Sequence, residues 1–173
     1  MVVNSIQSLI REIPDYPNPG VLFYDITPVL GNGPAFRELI ERMIEPHRDS
    51  GITKVAGIEA RGFMLAAPVA RTLGAGFIPI RKPGKLPYET KQRAYALEYG
   101  DDALEIHVDA AGPGDRVLIV DDVIATGGTA NAAVNLLQDL GAEVVGLSVF
   151  IELSFLSGRR RLGDLPIHVL LEY

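Results

Sequence analysis

The chain has 173 residues, 47 % of them apolar and 22 % charged, with a net charge of −6, a balance ordinary for a globular protein and too acidic for a general nucleic-acid binder. It contains no cysteine and only three histidines, His47, His107 and His168, which excludes a disulfide framework, a thiolate nucleophile and a cysteine-built metal site and argues against a histidine cage. No apolar run reaches the roughly 18 residues of a membrane span, and Met1-Val2-Val3-Asn4 lacks the charged start and apolar stretch of a signal peptide, so the expectation is a cytoplasmic protein with neither nucleic acid nor membrane as partner.

The length predicts a single domain over 1–173. Ile6, Leu9, Ile10 and Ile13 recur at helical spacing, and Pro14 ends that short helix. Pro14 to Gly20 is a stiff loop leading into the apolar segment Val21-Leu22-Phe23. Phe36, Leu39, Ile40, Met43 and Ile44 mark one face of a helix that stops before Gly51. Strand, helix and strand follow over Val55 to Ile58, Phe63 to Leu73, and Phe77 to Ile80. Val117 to Val120 is a continuous apolar run, the pattern of a strand covered on both faces. A helix from about Thr129 to Leu140 ends at Gly141, and Val144 to Ile151 is the next strand. This alternation predicts an α/β fold with a mainly parallel twisted sheet flanked by helices. Ligands of such sheets sit beyond the C-terminal strand ends, so the loops that begin at Glu59, Arg81 and Asp121 should face one cleft.

The strongest local signal is Val117 to Thr129. Four β-formers lead into Asp121 and Asp122, and the small-residue loop Ala125-Thr126-Gly127-Gly128-Thr129 then opens a helix. Glycines let backbone N–H groups close on an anion, and a helix N-terminus adds unpaired donors and partial positive charge. Thr126 and Thr129 add hydroxyls. The two acids would repel a phosphate, and sugar hydroxyls are their natural partners. Neither GxGxxG after a strand nor GxxxxGK with a following Ser or Thr is present. A second local feature is basic: residues 81–93 hold Arg81, Lys82, Lys85, Lys91 and Arg93 against the single acid Glu89. By itself that window reads equally well as a solvated loop.

The segment around Asp121 to Thr129 resembles the phosphoribosyl-pyrophosphate (PRPP) signature of the type I phosphoribosyltransferases. Three further segments resemble the adenine branch of that family: Glu59-Ala60-Arg61-Gly62-Phe63, Ile80-Arg81-Lys82-Pro83-Gly84-Lys85-Leu86-Pro87 and Leu97-Glu98-Tyr99-Gly100. Pro19 to Phe23 fits as well, so the likeness runs nearly end to end.

The resemblance implies a type I phosphoribosyltransferase fold with a small hood over the active site, to which residues 1–30 contribute, and a mobile lid over 82–98. It implies transfer of the 5-phosphoribosyl group from PRPP to adenine, giving AMP and pyrophosphate, with Mg2+ as cofactor and a homodimer as the assembly. Ala125 to Thr129 would hold the 5-phosphate. Asp121 and Asp122 would meet the ribose and reach the metal directly or through water. Glu59, Ala60, Arg61, Arg81, Lys82 and Lys85 would serve the pyrophosphate, some of them across a dimer interface. Glu98 and Arg61 are the candidate catalytic residues, Glu98 handling the purine proton, and Tyr99 would pack on the closed lid. Lys91 and Arg93 are left as solvated lid charges. Val21, Phe23, Tyr24 and Leu153 would surround adenine. Two positions discriminate. Ala125 stands where enzymes for hypoxanthine and guanine carry an aspartate, and Tyr24 stands where relatives commonly carry arginine, which removes a positive charge near the base.

Overall fold

The computed structural model describes residues 6–96 and 101–173, with two compact units, Met1–Arg42 and Met43–Tyr173. In the first unit residues 6–9 make one helical turn, and the chain then extends as β1 (Arg11–Pro14). β1 pairs antiparallel with β2 (Leu22–Asp25), placing Ile13 opposite Phe23 and Glu12 opposite Tyr24. Ile13 is therefore a strand residue and not the last contact of a helix. Pairing to β2 outweighs the helical spacing of the preceding isoleucines, because Pro14 cannot continue a helix but is tolerated at the edge of a two-stranded ribbon.

The connecting turn is held by Asp15, whose Oδ1 accepts the N–H of Gly20 at 2.7 Å. Tyr16 sets its ring edge on Phe23, with centroids 5.2 Å apart. Asp25 accepts both the N–H and the hydroxyl of Thr27 at 2.9 Å, which starts α1 (Thr27–Leu30). Asn32 then caps α2 (Gly33–Ile44) by accepting the N–H of Ala35 at 3.1 Å, the usual role of a side-chain oxygen before a helix. Leu39, Ile40, Met43 and Ile44 on the predicted face of α2 are buried.

The second unit is built on a five-stranded sheet of order β4-β3-β7-β8-β9, every neighbouring pair parallel. Its strands are β3 (Lys54–Ile58), β4 (Gly76–Ile80), β7 (Arg116–Ile124), β8 (Glu143–Glu152) and β9 (Ile167–Glu172). The crossovers are helical: α3 (Arg61–Leu73) links β3 to β4, and α4 (Gly128–Asp139) links β7 to β8. The main core joins Ala56, Ile58, Val117, Ile119, Leu147 and Val149 of the sheet to Ala133, Leu136 and Leu137 of α4. Leu118 and Val120 alternate with the core residues of β7 and are equally buried, and α3 packs on β3 and β7. A parallel strand covered on both faces is apolar throughout, as the run Val117 to Val120 predicts.

Two elements carry no clear periodic signal and emerge only in three dimensions. β5 (Thr90–Ala96) and β6 (Asp101–His107) form an antiparallel hairpin. Leu104 and Ile106 of β6 join the main core, while β5 packs along α4. β9 closes one sheet edge. Among the described residues no helix is long and apolar enough to cross a membrane.

Candidate active site

The chemistry-bearing side chains gather where β3, β4 and β7 end and their loops begin. β3 ends at Ile58, and the next peptide bond, Glu59–Ala60, is cis. Ala60 precedes α3, and no side chain caps that helix, so its first N–H donors face outward for an anion. Gly62 in the first turn has no room for a side chain: a Cβ there would stand 2.7 Å from Asp121 Oδ1. The glycine thus lets the start of α3 press against the acids that end β7.

Glu59 organises the basic loop. Its carboxylate accepts Arg81 Nε at 3.2 Å, the backbone N–H of Lys82 at 3.0 Å, and the ammonium of Lys85. Burial alone would push this acid up, but the Lys85 ammonium, the Lys82 N–H and the Arg81 guanidinium outweigh it and hold Glu59 at about 2. The loop is fastened on its other side by Glu105. Arg81 and Glu105 exchange two main-chain hydrogen bonds of 3.0 and 2.7 Å, and Gly84 N–H donates to Glu105 Oε2 at 3.0 Å. The ammonium of Lys82 points elsewhere, to Asp102 and to the hydroxyl of Tyr95 at 2.9 Å. Burial would lower it, yet Asp102 and Tyr95 raise it above the ordinary lysine range.

Asp121 and Asp122 differ sharply. Asp122 receives Arg61 Nε, which joins the start of α3 to the end of β7. Asp121 accepts the backbone N–H of Asp122 at 2.9 Å. Burial first, and the Asp122 charge second, push Asp121 well above the usual carboxylate range. Arg61 thus bonds Asp122 directly and acts on Asp121 through its charge.

Beyond Ile124 the chain turns through Ala125 and Thr126 into Gly127, which adopts the left-handed φ of 77° and leads into α4 with no side-chain cap. A left-handed residue without Cβ suits such a cradle, and the uncapped N–H groups of α4 line it. Leu153 follows β8 and donates its N–H to Ile124 O at 2.9 Å, beside the loop.

The sequence-predicted residues thus fall into a basic cluster (Glu59, Arg81, Lys85, with Lys82 joined through its backbone), an acidic pair with Arg61 bonded to Asp122, and the loop Ala125 to Thr129. Val21, Phe23 and Tyr24 belong to the first unit, on and beside β2. Glu98 and Tyr99 lie outside the described residues. Lys91 and Arg93 are exposed, as expected of solvated charges, but both have partners. Lys91 Nζ donates to Asp139 O at 2.8 Å, and Arg93 grips the Asp139 carboxylate with two bonds of 2.9 Å. The C-terminus of α4 attracts cations, and that contact lies 46 residues away in sequence. Reasoning from sequence also missed Glu105, Asp102 and Gly158, since each acts through a partner distant along the chain.

A parallel sheet whose central strand carries two acids near its C-terminal end, before a glycine-rich loop that opens a helix, is an arrangement suited to a phosphate and a sugar. The phosphoribosyl transferase domain matches residues 29–162. Over 172 residues the chain is 54 % identical to adenine phosphoribosyltransferase of Anaeromyxobacter dehalogenans, covering 99 % of this chain and 100 % of the relative. The structure matches adenine phosphoribosyltransferase of Rhodothermus marinus with a TM-score of 0.95 and 52 % identity, covering 99 % of this chain and 98 % of the other. The Saccharomyces cerevisiae enzyme, solved with an iminoaltritol bisphosphate and adenine, matches with a TM-score of 0.93 and 38 % identity over 98 % of each chain. The chain belongs to the phosphoribosyltransferase family, on its adenine phosphoribosyltransferase branch.

Proposed function

We infer that this protein performs purine salvage, transferring the 5-phosphoribosyl group of PRPP to adenine to give AMP and pyrophosphate. The observation that carries the reading is the loop Ala125 to Thr129 beyond the acids Asp121 and Asp122 of β7, within a chain 54 % identical end to end to an adenine phosphoribosyltransferase. In this reaction the bond from ribose C1 to the pyrophosphate oxygen breaks, a bond from a purine ring nitrogen to C1 forms, and that nitrogen loses its proton. No protein nucleophile is needed, in keeping with a chain that lacks cysteine.

In this reading the N–H groups and hydroxyls of Ala125 to Thr129 hold the 5-phosphate, and Asp121 and Asp122 orient the ribose hydroxyls. Arg61, Arg81, Lys85 and the backbone of Glu59-Ala60 receive the departing pyrophosphate, with Lys82 joining once its ammonium leaves Asp102 and Tyr95. Positive groups fixed where negative charge develops stabilise such a transition state. Glu98 takes the purine proton, and Val21, Phe23, Tyr24 and Leu153 enclose the base. Residues 1–30 form the hood within a single 1–173 domain. Residues 82–98, with Tyr99, act as a lid that excludes water.

The residues also fit Mg2+. Among the described residues no three acids or histidines cluster into a metal cage, whereas Asp121 and Asp122 present adjacent carboxylate oxygens near the end of β7. That pattern suits an ion that draws its other ligands from substrate phosphates and water. When bound, Mg2+ would neutralise charge on the pyrophosphate. A homodimer in the cytoplasm completes the reading, with basic residues of one subunit reaching its partner.

The test is AMP formation from PRPP, Mg2+ and adenine, alongside calorimetric PRPP binding. AMP formation lost in Glu98→Ala at unchanged PRPP affinity is the expected result. Absence of AMP from the wild-type protein would overturn the activity, and full turnover by Glu98→Ala would remove Glu98 from its role.

A further inference from the structure

The phosphate loop has a neighbour that the sequence does not advertise. Gly158 is buried at the start of a 3-10 turn, Gly158–Leu162, and its main chain lies against Ala125 and Gly127. A Cβ on Gly127 would fall on the carbonyl oxygen of Gly158. Conversely, a Cβ on Gly158 would fall on the carbonyl oxygen of Ala125 and 2.9 Å from Gly127 N. Two glycines thus meet backbone to backbone, without space for a methyl group on either.

Next to this contact stands a charge pair that the reaction does not use. Glu152 ends β8 at 4 % exposure. Its two carboxylate oxygens take Arg159 Nε at 2.8 and 2.6 Å, and Oε2 also takes Arg159 Nη2 at 2.6 Å. Glu172 of β9 lies 3.7 Å from the same guanidinium. The far end of the turn is anchored by Leu162, which sits in the main core with α4 residues. Burying a carboxylate carries a desolvation cost, and an ion pair there is weak evidence for stability in itself. Its geometric effect is specific: it fixes residue 159 to the sheet, one residue from the glycine that backs the loop.

We propose that Gly158 and the Glu152–Arg159 pair are positioning residues for the 5-phosphate, holding the turn against Ala125 to Thr129 and so setting the spacing of its N–H donors. The proposal rests on the reading that this loop holds the 5-phosphate. All three residues lie outside the loop Ala125 to Thr129. Each acts through the backbone of Ala125 and Gly127, where a displacement of about 1 Å can cost about 100-fold. Because the affected contact is with the phosphate, the loss falls on PRPP and spares adenine.

Steady-state kinetics on Gly158→Ala, Arg159→Ala, Arg159→Lys and Thr129→Ala, with thermal midpoints, test this. The expected result is a rise of about tenfold or more in KM for PRPP in Gly158→Ala and Arg159→Ala, with KM for adenine little changed. Arg159→Lys keeps the positive charge but loses the planar fork, so it should fall between wild type and alanine. The Arg159 side chain is 43 % exposed, so its variants report even if Gly158→Ala does not fold. A raised KM for PRPP in Thr129→Ala beside an unchanged one in the Arg159 variants would overturn the proposal. So would a fall in kcat and thermal midpoint with both KM values unmoved, which is what a merely structural role produces. An unchanged KM for PRPP in Thr129→Ala would instead refute the phosphate-loop reading itself.

Discussion

Arg93 of β5 lays its guanidinium fork on Asp139 at the end of α4, Nε to Oδ2 and Nη2 to Oδ1, both at 2.9 Å. The strand β5, which lies within the proposed lid, is thereby clamped to the helix whose other end opens from the proposed phosphate loop. Both side chains are partly exposed, and exposed pairs contribute only about 0–1 kcal/mol. Asp139→Ala should therefore leave the thermal midpoint nearly unchanged while accelerating amide exchange across Thr90–Ala96. Unchanged exchange would show that β6 and the core alone hold the strand.

Glu59 gives a pH signature. Its folded-state value, about 2, lies below the ordinary 4.5. Stability from a depressed acid is present above the unfolded value and lost as pH falls through the folded one. Glu59→Gln should destabilise the protein at pH 7, and the gap to wild type should close between pH 4.5 and 2. Thermal melts over that range check this, and a gap independent of pH would contradict the assignment.

Asp121 has the opposite sign. Its folded value is raised above 3.8, so its ionisation opposes folding at neutral pH and is neutral toward it below 3.8. Asp121→Asn should raise the thermal midpoint at pH 7, with the gain vanishing in acid, and should cut kcat/KM about 10- to 100-fold through a lost charged hydrogen bond to ribose. Such an exchange of stability for activity is usual at functional sites. A variant that is both less stable and fully active would contradict this account.

Lys82 is held by Asp102 and Tyr95, and pyrophosphate must compete for it. Asp102→Asn should release the ammonium and tighten pyrophosphate binding several-fold in an inhibition assay against PRPP. Weaker binding would mean that Asp102 orients Lys82 toward the anion.

The parallel core was legible because its rules are local. Buried strands such as Val117 to Val120 are apolar runs, and the glycines Gly127 and Gly128 mark the turn that opens α4 through residue type alone. The β5–β6 hairpin was not legible, since Thr90 to Arg93 is polar and gains its order from Asp139 and from β6. Ile13 shows a related failure, where pairing with Phe23 overrides helical spacing. Arg61 was offered by its segment as a candidate anion ligand, whereas its bond to Asp122, which spans 61 residues, was silent. Gly158 was silent for the same reason, because a glycine required by close approach looks in sequence like any turn glycine.

The most direct test of the central claim is turnover of PRPP and Mg2+ with adenine, hypoxanthine, guanine, xanthine and orotate in separate reactions. The account predicts AMP from adenine and no nucleotide from the other four. Turnover of a different base would contradict the adenine assignment and locate the error around Phe23 and Tyr24, while PRPP binding without turnover of any base would contradict the enzyme itself.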